Sequence, residues 1–374
     1  MGRVLDLTRQ SGVYCTRLLA EEGHDVIRVE HPAGDTLRRL GPYLWETPDL
    51  EGGSYHQYFN AGKRSLALDV TTAEGREVFE RLVATADAII AGTPLPLDEA
   101  RIRHLNPNVV LATIGEDESP ELCLYAKTGL LGITGHPGET PFLMGGHIIY
   151  AATGAWAMVG VAAAMLVQRT TGMGQTVHVD IEQCFETFLD HAVDNYVVRN
   201  RPTERRGHRG AVTPISGAFP CADGYWMLSL SDSTERWKRL VEWMDDDELR
   251  AESYLKYDER LAQADMILDK IGDWAMAFGK QDIVVEAQNR HFPSAPVCTP
   301  LDLAADPQLI DRGFLVEIEP PDFGPMRFPR GAIANLWGRD VRPAPKLGAH
   351  NAELLAELGY GPEEQQLLFE RNVT

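Results

Sequence analysis

The sequence predicts an α/β protein: a Rossmann-like, doubly wound open parallel sheet forming a large domain, followed beyond a polar linker by a smaller α+β domain. Three observations predict it. Residues 3–38 run strand, turn, helix, strand and arginine-bearing loop with no spare residues. Apolar β segments and amphipathic helical segments then keep alternating to residue 114. The Arg- and Gly-rich stretch 199–210, RNRPTERRGHRG, lacks apolar periodicity, as a linker does.

Each element follows from its residues. The run 4–8 is mostly apolar with β-branched ends, Gly12 opens a crossover, Tyr14, Leu18 and Leu19 give its helix an apolar stripe, and Gly23 stops it. Residues 25–30 return as a second, parallel strand. A strand over 65–70, a helix capped by Thr72 with Glu74 in its first turn, and a strand over 87–91 repeat the unit. A short helix over 97–105 and a strand over 109–114 complete the alternation. The run 148–167 carries no charge and meets the length test for a membrane span of about 20 residues. Its Ala and Gly content and the immediate return to a strand over 175–181 make it instead a helix buried under the sheet. Another helix starts near Ile181 and runs into the linker.

Beyond the linker, residues 217–230 predict a strand pair turned at Ala222-Asp223-Gly224, followed by a helix over 234–244 and an acidic helical middle. Pro293, Pro296 and Pro300 mark a second extended crossing, 314–329 a β segment around Pro320-Pro321, and 352–360 a helical tail ending in Gly361-Pro362. The expected division is a large domain over 1–198, a linker over 199–212, a small domain over 213–292, a second linker and β segment over 293–330, and a return to the large domain over 331–374.

Composition narrows the function classes. At 374 residues and 44% hydrophobic the chain can bury a large core, and a formal charge of −20 argues against a nucleic-acid partner. An anionic small ligand then needs a local cluster of basic groups, for which Arg28, Arg38, Arg39, Lys63 and Arg64 are candidates. Cys15, Cys123, Cys184, Cys221 and Cys298 are odd in number and form no ligand pattern, so they read as reduced thiols of a cytoplasmic protein without a metal. A core strand beginning by Val4 leaves no room for a signal peptide, and no membrane partner is expected.

Several strings resemble the family III CoA-transferases, the CaiB/BaiF group that includes formyl-CoA transferase, carnitine CoA-transferase and α-methylacyl-CoA racemase. Besides the opening block these are Phe59-Asn60 through Lys63-Arg64-Ser65 with Asp69 and 72–75, Leu105-Asn106-Pro107, Thr171-Gly172 with Gly174-Gln175, and 219–224. Ala305-Asp306-Pro307 with Arg312-Gly313, and Leu347-Gly348 through His350, complete the set in family order. The resemblance implies an interlocked-ring dimer, a CoA thioester as substrate, and Arg28, His31, Arg38, Lys63, Arg64 and Tyr125 as candidate CoA contacts.

The resemblance fails at the chemistry. The family's catalytic aspartate attacks the acyl-CoA carbonyl; counting back from Gly172 through Thr153-Gly154 puts Tyr150 at its position, and no acidic residue lies between Glu139 and Asp180. A phenol with a reference pKa of about 10 stays protonated at neutral pH and serves as a donor. Pro120 and Glu121 occupy the positions of the racemases' histidine-aspartate pair, in a short loop over 116–121 that carries four carboxylates. Gln10 matches a glutamine of formyl-CoA transferase or is a turn residue; Glu121 supplies the missing carboxylate or is a loop charge; His147 is a base or a structural histidine. The family's pantetheine-holding asparagine-phenylalanine pair reads Gly92-Thr93, its glycine-rich segment shrinks to Pro94-Leu95-Pro96, and its glycine loop corresponds loosely to Gly207-His208-Arg209-Gly210.

Three readings follow. The first is an enzyme acting on an acyl-CoA thioester by isomerisation, proton transfer or carbon-carbon cleavage, with Tyr150, Gln10, Glu121 and His147 as its catalytic candidates. The second is a silent subunit paired with an active, aspartate-bearing paralogue; a transferase with an unusual nucleophile stands beside it. The third is a ligand-binding module that no longer takes CoA. Homodimer and heterodimer both stay open.

Overall fold

A computed structural model describes residues 2–44, 48–92, 94–115, 119–209, 215–320, 322–331 and 340–374. It divides into two compact units. The first comprises 1–128, 144–191 and 310–374, the second 129–143 and 192–309. The segment 129–143, read from sequence with the large domain, thus groups with the second unit.

The first unit is built on six parallel strands: β1 (Arg3–Leu7), β2 (Asp25–Glu30), β3 (Arg64–Ala67), β4 (Ala88–Gly92), β5 (Val110–Gly115) and β6 (Thr176–Asp180), in the order β3-β2-β1-β4-β5-β6. Parallel strands buried on both faces must be apolar on both faces, and the register shows how this sequence achieves it. Leu5 pairs with Ile27 on one side and Ile89 on the other, and Ile89 with Leu111. That row faces a core containing Phe79, Leu82 and Ile102. The alternate row, Val4, Val26, Ala88 and Val110, faces Cys15, Leu19, Ala157 and Val161.

The helix Ala73–Thr85 is capped as its sequence predicts, with Thr72 Oγ1 accepting from the Gly75 amide at 3.0 Å. The uncharged run forms the helix Ile148–Thr171, ended by Gly172 in the left-handed region at φ +74°. Its buried side, including Ile149, Thr153, Ala157 and Val161, packs on the helix Val13–Glu21 and the sheet. Gly154 permits the closest approach: a Cβ there would sit 2.7 Å from Tyr14 Cβ and 3.0 Å from the Cys15 amide nitrogen. The expected buried helix under the sheet is buried on that one side, while Trp156, Val159 and Leu166 are exposed on its other side; an uncharged run does not separate a two-sided from a one-sided contact.

Residues 310–374 return to this unit. Leu315–Ile318 and Met326–Pro329 form an antiparallel pair, matching the predicted β segment. The helix predicted over 352–360 is observed over Asn351–Glu357. Pro362, whose missing N–H costs nothing at a helix start, begins a further helix, Pro362–Glu370. Leu354, Leu355, Leu368 and Val373 all enter the core.

The second unit holds a three-stranded antiparallel sheet, Gly217–Cys221, Gly224–Leu228 and Ser294–Pro296, with the helices Thr234–Met244, Ala264–Ala275 and Lys280–Asn289. Its core includes Phe219, Trp226, Trp237, Ile267, Ile271 and Phe292. The proline-marked crossing is therefore partly an edge strand, the place in a sheet where proline's missing donor is tolerated.

Candidate functional site

The strand order reverses direction between β1 and β4, and ligands of open α/β sheets bind outside the carboxyl ends of the strands at such a switch point. A cavity of about 510 Å³ lies there. It is lined among others by Thr8 and Arg9 after β1, Arg28 on β2 and His31 just after it, Arg39, Gly92 at the end of β4 and Pro94 beyond it.

Directly beneath it the sequence buries charge in closed pairs. Asp6, on β1 and fully enclosed, receives Lys63 Nζ at 2.8 Å, Arg28 Nη1 at 2.9 Å and Thr16 Oγ1 at 2.9 Å. Lys63 completes its three donors with Thr16 Oγ1 at 2.8 Å and Asn60 Oδ1 at 3.0 Å. Burial alone would raise the Asp6 pKa, but the Arg28 and Lys63 charges hold it well below the usual carboxylate range. Burial, opposed by Asp6, pulls Lys63 down to about 8. Arg28 also bonds Asp35 through Nε at 3.0 Å and the Thr8 carbonyl at 2.6 Å.

Arg38 is equally enclosed. It grips both oxygens of Glu30, at 2.7 and 2.9 Å, reaches Glu51 at 2.8 Å and donates to His56 Nε2 at 3.2 Å. Burial, and then the Arg38 charge, push the His56 pKa well below its ordinary value. Arg64 is spent on Asp25, Glu353 and Glu357. Four of the expected phosphate contacts, Arg28, Arg38, Lys63 and Arg64, thus already have carboxylate partners, and a phosphate would have to compete with them. His31 stays largely exposed, its Nε2 at 3.8 Å from Asp69, and Arg9 and Arg39 join it on the cavity lining.

The catalytic candidates come together at a second place in the same unit. His147 caps the helix Ile148–Thr171 with a left-handed backbone, φ +51°, uncommon outside glycine but enriched in His, Asn and Asp. Its Nδ1 lies 2.7 Å from Oε2 of Glu121, the first residue of the helix Glu121–Lys127. With the carboxylate oxygen as acceptor, Nδ1–H is the donor of this contact, and a neutral imidazole then carries its lone pair on Nε2. Tyr150 follows one turn on, its ring centroid 6.2 Å from that of His147.

The fifth member was missed from sequence. Tyr55, in the helix Ser54–Phe59, hydrogen-bonds Gln10, and its ring lies 6.0 Å from that of His147 and 4.4 Å from Phe59. Burial, then Tyr150 and Glu121, raise its pKa, so it is a phenol at neutral pH. The available signal was the aromatic density of SYHQYF, which at helical spacing reads as core. Tyr125, one turn after Glu121 on the helix Glu121–Lys127, is a buried ring against Phe185 beside Ile148 and Ile149, with its phenol pKa raised first by burial and then by the Glu121 charge. Thr93, residues 116–118 and Gly210 lie outside the described residues, so the pantetheine position, the acidic loop and the glycine loop are covered only in part.

Chemically, this second place offers an imidazole oriented by a carboxylate, two phenols and an amide, with no acidic nucleophile on the helix that carries Tyr150. Groups of three or more His, Cys, Asp or Glu side chains able to hold a metal are absent among the described residues.

Comparison with known proteins gives a consistent result. Residues 2–351 match the profile of CoA-transferase family III. The chain is 31% identical to a succinyl-CoA:mesaconate CoA-transferase of Haloarcula hispanica over 96% of each chain. It is 28% identical to a subunit of succinyl-CoA:(R)-benzylsuccinate CoA-transferase of Thauera aromatica, over 96% of this chain and 93% of that one. Among solved structures, a CaiB/BaiF family protein of Brucella suis superposes with a TM-score of 0.83 at 25% identity, covering 95% of this chain and 98% of the other.

Proposed function

The chain belongs to CoA-transferase family III, and from that premise we propose that it takes an acyl-CoA thioester and moves a proton at the acyl group without an aspartyl nucleophile. The observation that carries this reading is the Glu121–His147 contact with Tyr150 one helical turn on.

In this reading the CoA end of the substrate occupies the cavity at the strand tips, with Arg9, His31 and Arg39 on its lining. His147 Nε2 takes a proton from the carbon next to the thioester carbonyl, and the electron pair of that C–H bond moves onto the thioester oxygen. Glu121 stabilises the imidazolium that forms. The Tyr150 phenol O–H donates to the oxygen where negative charge develops. Return of the proton, to the same carbon or another, gives exchange or isomerisation. Tyr150 in the aspartate's position is what separates this chemistry from the family's acyl transfer.

A second reading rests on one relative's name. The Thauera aromatica protein is a subunit of its transferase, and this chain would likewise pair with an aspartate-bearing paralogue and stay silent. The first reading calls for a homodimer, the second for a heterodimer.

Incubation of the purified chain with butyryl-CoA in D₂O, followed by mass spectrometry, tests the proposal. Time-dependent deuterium uptake that His147→Gln abolishes supports it. Absence of uptake, with acyl transfer appearing only after a second family member is added, overturns it in favour of the silent subunit.

A further inference from the structure

The surroundings of the Glu121–His147 pair bear on which acyl group the site takes, an inference that rests on the CoA-thioester reading above. Aromatic rings dominate them. Tyr55 and Phe59 lie 4.4 Å apart between centroids, Phe59 meets Tyr14 edge-on at 5.9 Å, and Tyr150 stands beyond His147. Tyr14, Tyr55, Phe59 and Tyr150 are all half-buried. Each ring therefore keeps part of its apolar surface in water, and covering such surface with hydrocarbon is favourable.

The fixed charge among these rings is negative. The Glu121 carboxylate acts on the Tyr55 phenol. Lys63 and Arg28 are both committed to Asp6, and Arg17, whose charge acts on Tyr14, is paired with Glu21. A terminal carboxylate on the acyl group would lose its water, meet the Glu121 charge, and have to compete with Asp6 and Glu21 for the cations described around these rings. The two relatives named above act on succinyl-CoA, whose acyl group carries such a carboxylate.

We propose that this chain takes an uncharged hydrocarbon acyl group, seated against Tyr55, Phe59 and Tyr150, and discriminates against the dicarboxylate acyl groups of those relatives.

Butyryl and succinyl groups have the same four-carbon length and differ at the end in a methyl or a carboxylate, so they isolate the charge; benzoyl tests the aromatic surface. Calorimetric titration of the full chain with CoA, butyryl-CoA, benzoyl-CoA and succinyl-CoA provides the test. The expected result is that butyryl-CoA and benzoyl-CoA bind at least about tenfold tighter than succinyl-CoA, and that Glu121→Gln narrows the butyryl-to-succinyl ratio. Succinyl-CoA binding as tightly as butyryl-CoA, or a ratio untouched by Glu121→Gln, overturns the inference while leaving the CoA reading intact. Failure of CoA and all three thioesters to bind overturns the CoA reading, and the inference with it.

Discussion

His147 Nδ1 and Glu121 Oε2, 26 residues apart in sequence, lie 2.7 Å apart and join the starts of two helices. With the carboxylate accepting, Nδ1 is the donor of this contact and a neutral imidazole keeps its lone pair on Nε2, as the proposed base role requires.

His147→Gln keeps a polar side chain but removes the proposed base. Proton exchange on a bound acyl-CoA is expected to fall by about 10² to 10⁴-fold with thioester affinity little changed. Glu121→Gln is expected to give a smaller loss. Exchange rates set against titration affinities check both.

On the proposed reading, Tyr150→Asp puts back the family's catalytic aspartate at the start of the helix Ile148–Thr171. With an acyl-CoA the variant is expected to form an aspartyl-CoA thioester, seen as added mass on the peptide carrying residue 150. An unmodified peptide after incubation with the whole acyl-CoA panel would count against Tyr150 occupying the nucleophile's position.

Asp6→Asn leaves Lys63 and Arg28 enclosed without their shared carboxylate. Stability is expected to drop by about 3–5 kcal/mol, measured by urea unfolding. Adding Lys63→Met removes one uncompensated charge and should recover part of the loss.

His56 is enclosed, and its pKa in the fold lies well below the ordinary 6.5. Below 6.5 the unfolded chain takes up a proton that the folded chain excludes. The stability it contributes is therefore complete above 6.5 and declines as the pH falls, by at most about 1.4 kcal/mol per pH unit. His56→Gln should flatten the fall in melting temperature between pH 6.5 and 5. Further down, Asp6, whose folded pKa is also depressed, withdraws its contribution as the pH falls below 3.8.

Gly154→Ala puts a methyl carbon 2.7 Å from Tyr14 Cβ. The helix Val13–Glu21 must then shift, at a cost of about 1–3 kcal/mol, partly offset by the better helix propensity of alanine. A lower melting temperature checks it.

The sheet was legible because its strands are apolar on both faces and each βα unit brings its own turn and cap. Val4 and Leu5, or Val26 and Ile27, announce opposite faces before any partner is known. The fate of the charges was not legible. Arg28, Arg38 and Arg64 resemble phosphate ligands in a sequence, which displays a charge but not its partner. Those partners lie 22, 8 and 293 residues away, at Asp6, Glu30 and Glu357. The catalytic candidates Gln10, Glu121, His147 and Tyr150 do converge, but Tyr55, which links Gln10 to them, was hidden in an aromatic helix with a core-like pattern.

Leu354, Leu355, Leu368 and Val373 close the core around strand β3, and the Asp69 amide bonds the Val373 carbonyl at 2.8 Å. On the ribosome those residues emerge only after the whole second unit has been made. The nascent first unit therefore waits with an open seam beside β3 throughout that interval. A chain cut short before residue 351 would keep all six strands and still leave that seam uncovered, the kind of exposed surface that chaperones and proteases read as unfinished.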